Sequence, residues 1–159
     1  MRTAIIGHRG TGKTSLLDRI QVYYAKLGRP VVCIDLDQEV EAKSGLTISQ
    51  LFAEGEAEFR KVEKEVFTEI DKNTANVSHE VFLACGGGFD PEAITSSWRV
   101  FWLRRPSDSS GRIFLDRPRL NPGLSPIDEF LARAGTRSQH FAARADETLW
   151  IDEGLEQPD

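Results

Sequence analysis

Short apolar runs alternating with amphipathic or charged stretches predict an α/β fold of three layers, a five-stranded parallel sheet flanked by helices. Two further observations support it. The runs are almost free of polar side chains, as in strands covered on both faces, and the first leads straight into a glycine-rich turn and a helical repeat. At 159 residues the chain fits one domain, 1–159, whose core needs neither disulfides nor a structural metal.

"TAII" at residues 3–6 is the first strand. From Lys13 to Leu27 the apolar residues Leu16, Leu17, Ile20, Tyr23, Tyr24 and Leu27 recur at helical spacing, and Gly28 stands where a C-terminal cap belongs. "VVCI" (31–34), "VFLA" (81–84), "VFWL" (100–103) and "TLWI" (148–151) supply the other strands. Between the second and third, Thr47 and Gln50 form a capping-box pattern that opens a long charged helix reaching roughly to Asn73. Within it Arg60 follows Glu56 by one turn, the spacing of an ordinary surface ion pair. Residues 105–124, rich in Pro, Ser, Gly and Arg, make a loop long enough to be a lid. Ser125 and Pro126 restart a helix, and residues 153–159 form a short polar tail. Trp98, Trp102 and Trp150 lie at or within strands, where packing accounts for them.

Composition narrows the function classes. A net charge of −5 gives no basic field to hold a nucleic-acid backbone or an anionic membrane, so any anion must be bound by local chemistry. The apolar run after Met1 is too short for a signal-peptide core or a membrane span, so the mature chain is expected to start there and to be cytoplasmic. Cys33 and Cys85 each close an apolar run and read as small buried hydrophobes rather than redox groups.

Residues 7–14, "GHRGTGKT", match the phosphate-loop pattern G-x-x-x-x-G-K-[ST] between a predicted strand and a predicted helix, the context its mechanism requires. Gly7, Gly10 and Gly12 let consecutive N–H groups turn toward a phosphate, and the helix N-terminus adds positive potential. Lys13 is suited to the outer phosphates and the Thr14 hydroxyl to Mg²⁺; Thr11 and Ser15 complete the candidate nucleotide-binding set. His8 and Arg9 are not specified by the pattern and are expected to face solvent. The second strand ends in Asp35 and Asp37, at the sheet edge where open α/β folds bind ligands. Asp35 suits Mg²⁺ and Asp37 a substrate hydroxyl; capping of the next helix is the alternative for both. Gly86, Gly87 and Gly88 follow the third strand and offer bare backbone to a ligand, or form a plain turn.

These segments, with "GLTISQLFAEGEAEFRKVE", "DRPRL" and "RSQHFAARAD" in the same order, resemble the shikimate kinase family along nearly the whole chain. The stretch from Gly45 to Glu63 is the most specific part. The resemblance implies a P-loop kinase fold with strand order 2-3-1-4-5 and transfer of the ATP γ-phosphoryl group to the 3-hydroxyl of shikimate. It implies a monomer in aromatic amino-acid synthesis, with Mg²⁺ as cofactor. By this likeness Asp37 holds and deprotonates the hydroxyl, Asp35 sits near Mg²⁺, and Arg60 and Arg137 grip the substrate carboxylate. Gly86, Gly87 and Gly88 lie beside the substrate, and Arg117 closes with the lid on the phosphates as a catalytic cation beside Lys13. Arg112 is the nearest counterpart of an adenine-stacking arginine. Phe141 stands where the family commonly has a tyrosine. A kinase for another hydroxy acid such as gluconate, and a non-catalytic nucleotide-binding relative, are the competing readings. The first would not need this arginine pair, and the second would have lost Lys13, Thr14, Asp37 or Arg117, all of which are present.

Overall fold

A computed structural model describes residues 1–105 and 137–151. Among them, five parallel strands form one sheet in the order β2-β3-β1-β4-β5. The strands are β1 (Arg2–Ile6), β2 (Val31–Asp35), β3 (Glu80–Ala84), β4 (Arg99–Arg104) and β5 (Glu147–Trp150). β1 lies between β3 and β4, and its side chains alternate between the two faces. Ala4 and Ile6 pack in a cluster with Val40, Leu51, Phe59, Val66, Phe67 and Phe141, whereas Ile5 meets Leu17 on the opposite face.

Helix α1 (Lys13–Lys26) covers the Ile5 face; α2 (Leu36–Ser44), α3 (Ile48–Glu54), α4 (Glu56–Thr74) and the helical residues 137–144 contribute to the other. α1 ends as its sequence predicts, with Gly28 at φ 67° and the Arg29 N–H donating to the Tyr24 carbonyl at 3.0 Å. In α4 the buried positions 59, 63, 66, 67, 70 and 74 follow the helical repeat. Phe59, Val66, Phe67 and Ile70 contribute about 1.5–3 kcal/mol each on burial, far more than the surface ion pairs of the same helix. Glu63 is the one charged member of that stripe.

Three expectations need correction. The single helix from Thr47 to Asn73 is two helices, because Gly55 sits at φ 132°, a conformation that L side chains rarely adopt and that turns the chain. The capping box at Thr47 and Gln50 exists, with hydrogen bonds of 3.1 and 2.8 Å, but it opens only the short α3. A further helix, α2, starts directly at the end of β2 and is closed by Gly45 at φ 74°. Finally, β2 and β5 are sheet edges rather than strands covered on both faces: β2 is half-buried throughout and β5 is exposed. An apolar run reports strand propensity without reporting position in the sheet.

Trp98 and Trp102 are buried, whereas Trp150 is exposed at the β5 edge, where the Arg104 guanidinium lies between the Trp102 and Trp150 rings. Cys85 is buried and burial pushes its thiol far above the usual range, which keeps it protonated, in line with the packing role expected of it. No helix among the described residues is long and apolar enough to cross a membrane. Most of the expected lid at 105–124, the helix restart at Ser125 and Pro126, and the tail at 153–159 lie outside the described residues.

Candidate functional site

The phosphate loop joins β1 to α1 at the C-terminal edge of the sheet. Gly7 passes so close to β4 that a Cβ there would lie 2.5 Å from the Leu103 carbonyl oxygen, so the tight packing requires glycine. Gly12 precedes α1 at φ 101°, and α1 has neither a side-chain cap nor an acidic residue in its first turn. Its leading N–H groups and dipole are therefore left for an anion. Thr11 is buried and donates to the His8 carbonyl at 3.0 Å, bracing the loop around Gly10. Lys13 is nearly buried; its Nζ donates to the carbonyls of Gly7 at 2.8 Å and His8 at 2.9 Å. Ser15 is exposed in the first turn of α1.

Asp35 takes the capping role and also meets the Thr14 hydroxyl. Its Oδ1 caps α2, accepting from the Asp37 N–H at 3.0 Å and the Gln38 N–H at 3.4 Å, while Oδ2 accepts from the Thr14 hydroxyl at 2.8 Å. Neighbouring oxygens of an octahedral Mg²⁺ shell stand about 2.9 Å apart, so this pair of hard donors fits that ion by both spacing and chemistry.

Beside the loop lies a cleft of about 220 Å³ lined by residues of α2, α3, α4, the glycine loop, the helical residues 137–144 and Arg9. Asp37 is in the first turn of α2, and a Cβ on Gly86 would fall 2.8 Å from its Oδ1. Burial raises the Asp37 pKa, the neighbouring Asp35 adds to the rise, and Lys13 and Arg60 oppose it. Arg60 and Arg137 converge from separate helical segments: a Cβ on Gly88 would lie within 2.5 Å of an Nη2 atom of each. Two like charges this close repel unless an anion lies between or beside them.

Part of that anion is built in. Arg60 Nη1 donates to Glu63 Oε1 at 2.9 Å, and Glu63 is 2% exposed. The expected partner Glu56 also binds Arg60, at 3.4 Å, but is more than half exposed and is the outer contact. The rings of Phe59 and Phe52 back the guanidinium at 4.9 and 5.5 Å. Among the described residues Glu63 Oε2 has no hydrogen-bond partner, and it lies 3.3 Å from where a Gly86 Cβ would be. Burial, partly offset by Arg60, pushes the Glu63 pKa up to about 7.

Sequence reasoning missed Glu63, although its signal was present as an acid on the apolar stripe of α4 three residues after Arg60. It also misplaced His8 and Arg9. His8 is 5% exposed, with its ring edge-on to Phe141 at 5.0 Å and its Nε2 3.0 Å from the Ser138 hydroxyl. Arg9 lines the cleft, its backbone N 2.7 Å from a Cβ placed on Gly87. The loop folds back onto the helical residues 137–144, and this covers what a solvent-facing turn would expose. The structure thus brings together Asp37, Arg60, Gly86, Gly87, Gly88 and Arg137, and next to them Lys13, Thr14 and Asp35. Arg112 and Arg117 lie outside the described residues.

The sheet order, the phosphate loop opening α1 and the acid closing β2 define a P-loop kinase fold. The shikimate kinase family model matches residues 9–121. The chain is 41% identical over 85 residues to a shikimate kinase from Geobacillus kaustophilus, covering 53% of this chain and 40% of that protein. It is 34% identical over 135 residues to the shikimate kinase of Aquifex aeolicus, covering 74% of this chain and 73% of that one. The structure of a shikimate kinase from Acinetobacter baumannii in complex with shikimate matches with a TM-score of 0.70 at 25% identity, covering 93% of this chain and 82% of that one. The chain belongs to the shikimate kinase family.

Proposed function

We propose that the chain transfers the γ-phosphoryl group of ATP to the 3-hydroxyl of shikimate, giving shikimate 3-phosphate and ADP. The observation that carries this reading is the convergence of Arg60 and Arg137 on Gly88, with Asp37 across the same glycine loop at Gly86. An acceptor with one carboxylate and several hydroxyls needs planar donors for the charge and an acceptor for the reacting hydroxyl, at a fixed separation. Its carboxylate can accept from both guanidiniums, and Gly88 keeps their approach clear.

Asp37 takes the hydrogen bond of the reacting hydroxyl and accepts its proton as the phosphoryl group arrives; its burial favours the protonated product of that step. The backbone of Gly7–Gly12 and the N-terminus of α1 receive the phosphates, and Lys13 moves from the Gly7 and His8 carbonyls to neutralise charge on the transferred group. Thr14 and Asp35 would hold Mg²⁺, which when bound would offset charge on the phosphate oxygens. Arg117 and Arg112 belong to the same reading as phosphate and adenine contacts. The reading carries with it a single-domain, monomeric enzyme of the cytoplasm, serving aromatic amino-acid synthesis.

A coupled ADP-release assay with ATP and Mg²⁺, run with shikimate, with gluconate and without acceptor, tests it. Turnover that requires shikimate is expected. Turnover with gluconate and none with shikimate would overturn the assignment.

A further inference from the structure

We infer that His8 is a positioning residue for the acceptor site: from inside the phosphate loop its ring holds the turn that carries Arg137. The inference rests on the shikimate reading for its kinetic consequence, but its structural claim stands apart from it.

Two sides of one residue face two ligand subsites. The His8 carbonyl accepts hydrogen bonds from Lys13 Nζ at 2.9 Å and from the Thr11 hydroxyl at 3.0 Å, which ties it to the phosphate side. Its imidazole Nε2 lies 3.0 Å from the hydroxyl of Ser138, the residue next to Arg137. Burial, with Lys13, Arg137 and Arg104 adding their charges, lowers the His8 pKa to about 4. The ring is therefore neutral at working pH, and a hydroxyl that both donates and accepts pairs with either tautomer.

The helical residues 137–144 are held differently at their two ends. At the far end Phe141 is buried, and Arg144 donates to the carbonyls of Ile94, Thr95 and Trp98 at 3.1, 2.8 and 3.0 Å. At the near end, His140 pairs with Glu92 at 2.8 Å, but both are about half exposed, where such a contact contributes little. Of these two contacts, that of Ser138 with a buried ring is the more desolvated. It lies one residue from Arg137, whose guanidinium meets Arg60 over Gly88.

The variants separate packing from the hydrogen bond. His8→Phe keeps an aromatic ring against Phe141 and removes the polar contact; His8→Gln returns an amide nitrogen near the Nε2 position; Ser138→Ala removes the partner. His8→Phe and Ser138→Ala should each raise the shikimate KM about tenfold, with kcat and the ATP KM within about twofold of wild type. The double variant should be no worse than either single one, and His8→Gln should restore most of the loss. Amide hydrogen exchange without any acceptor should show faster exchange at 137–144 and none of that change in α4. Unchanged exchange at 137–144 in both single variants, additive effects, or equal rises in both KM values would overturn the inference. A wild-type protein that fails to phosphorylate shikimate but shows the exchange pattern would overturn the functional reading and leave this one standing.

Discussion

At the phosphate end of the cleft, consecutive residues 7–14 supply glycine backbone, a lysine and a hydroxyl from one turn between β1 and α1. At the other end, Asp37, Arg60 and Arg137 arrive from separate segments and their side chains meet at the glycine loop. The first end is set mainly by local backbone geometry, with Gly7 packed against β4 and His8 against residues 137–144. The second exists only when α2, α4, the glycine loop and residues 137–144 are all in place. Its precision comes from supporting contacts such as Glu63 and His8, the latter reaching across from the phosphate loop itself.

The largest test of this division is Asp37→Asn, which should lower kcat by about 10²- to 10⁴-fold and leave the ATP KM nearly unchanged in initial-rate measurements. A parallel loss of ATP affinity would show that the two ends are not separable. Gly88→Ala comes next. Its methyl group would overlap both guanidiniums, so the shikimate KM should rise about tenfold or more while thermal stability changes little. A wild-type KM would mean the arginines do not meet there.

Glu63→Gln sharpens the contrast through pH. The Glu63 pKa in the folded chain is about 7, above the unfolded value of 4.5, so the native state binds the proton more tightly. The stability this contributes is fully present below about pH 4.5 and is lost as pH rises through 7. Thermal melts from pH 5 to 8 should therefore show a declining component in the wild type that the Gln variant lacks; identical slopes would refute the buried acid. Smallest of all, Glu56→Ala should cost less than about 0.5 kcal/mol and leave kinetics nearly untouched, because its contact with Arg60 is the exposed one.

What could be read from sequence follows the same divide. The phosphate loop was legible because its residues are adjacent and each spacing has a mechanical reason. The strands were legible as apolar runs, but not which of them lie at the edges, since edge position depends on partners far along the chain. Arg60 and Arg137 came from family likeness; no local pattern says that two arginines so far apart share a point above Gly88. Glu63 and His8 were missed for opposite reasons. Glu63 stands among solvated acids in the sequence although the helical repeat turns it inward, and His8 occupies a position that the loop pattern leaves free. The break at Gly55 was hidden because the residues on both sides of it are sound helix formers, so propensity alone joined them.

Helix α3 gives the molecule an unequal capacity for change. It is bounded by Gly45 and Gly55, both with open space around them, and it presents Ile48, Ser49 and Phe52 to the cleft without a single charge. The glycine loop and the arginines tolerate almost no alteration, since each is fitted against another. If the proposed activity holds, redesign toward a bulkier or less polar acid would start at Ile48 and Ser49 of this short wall, leaving Phe52 to back Arg60.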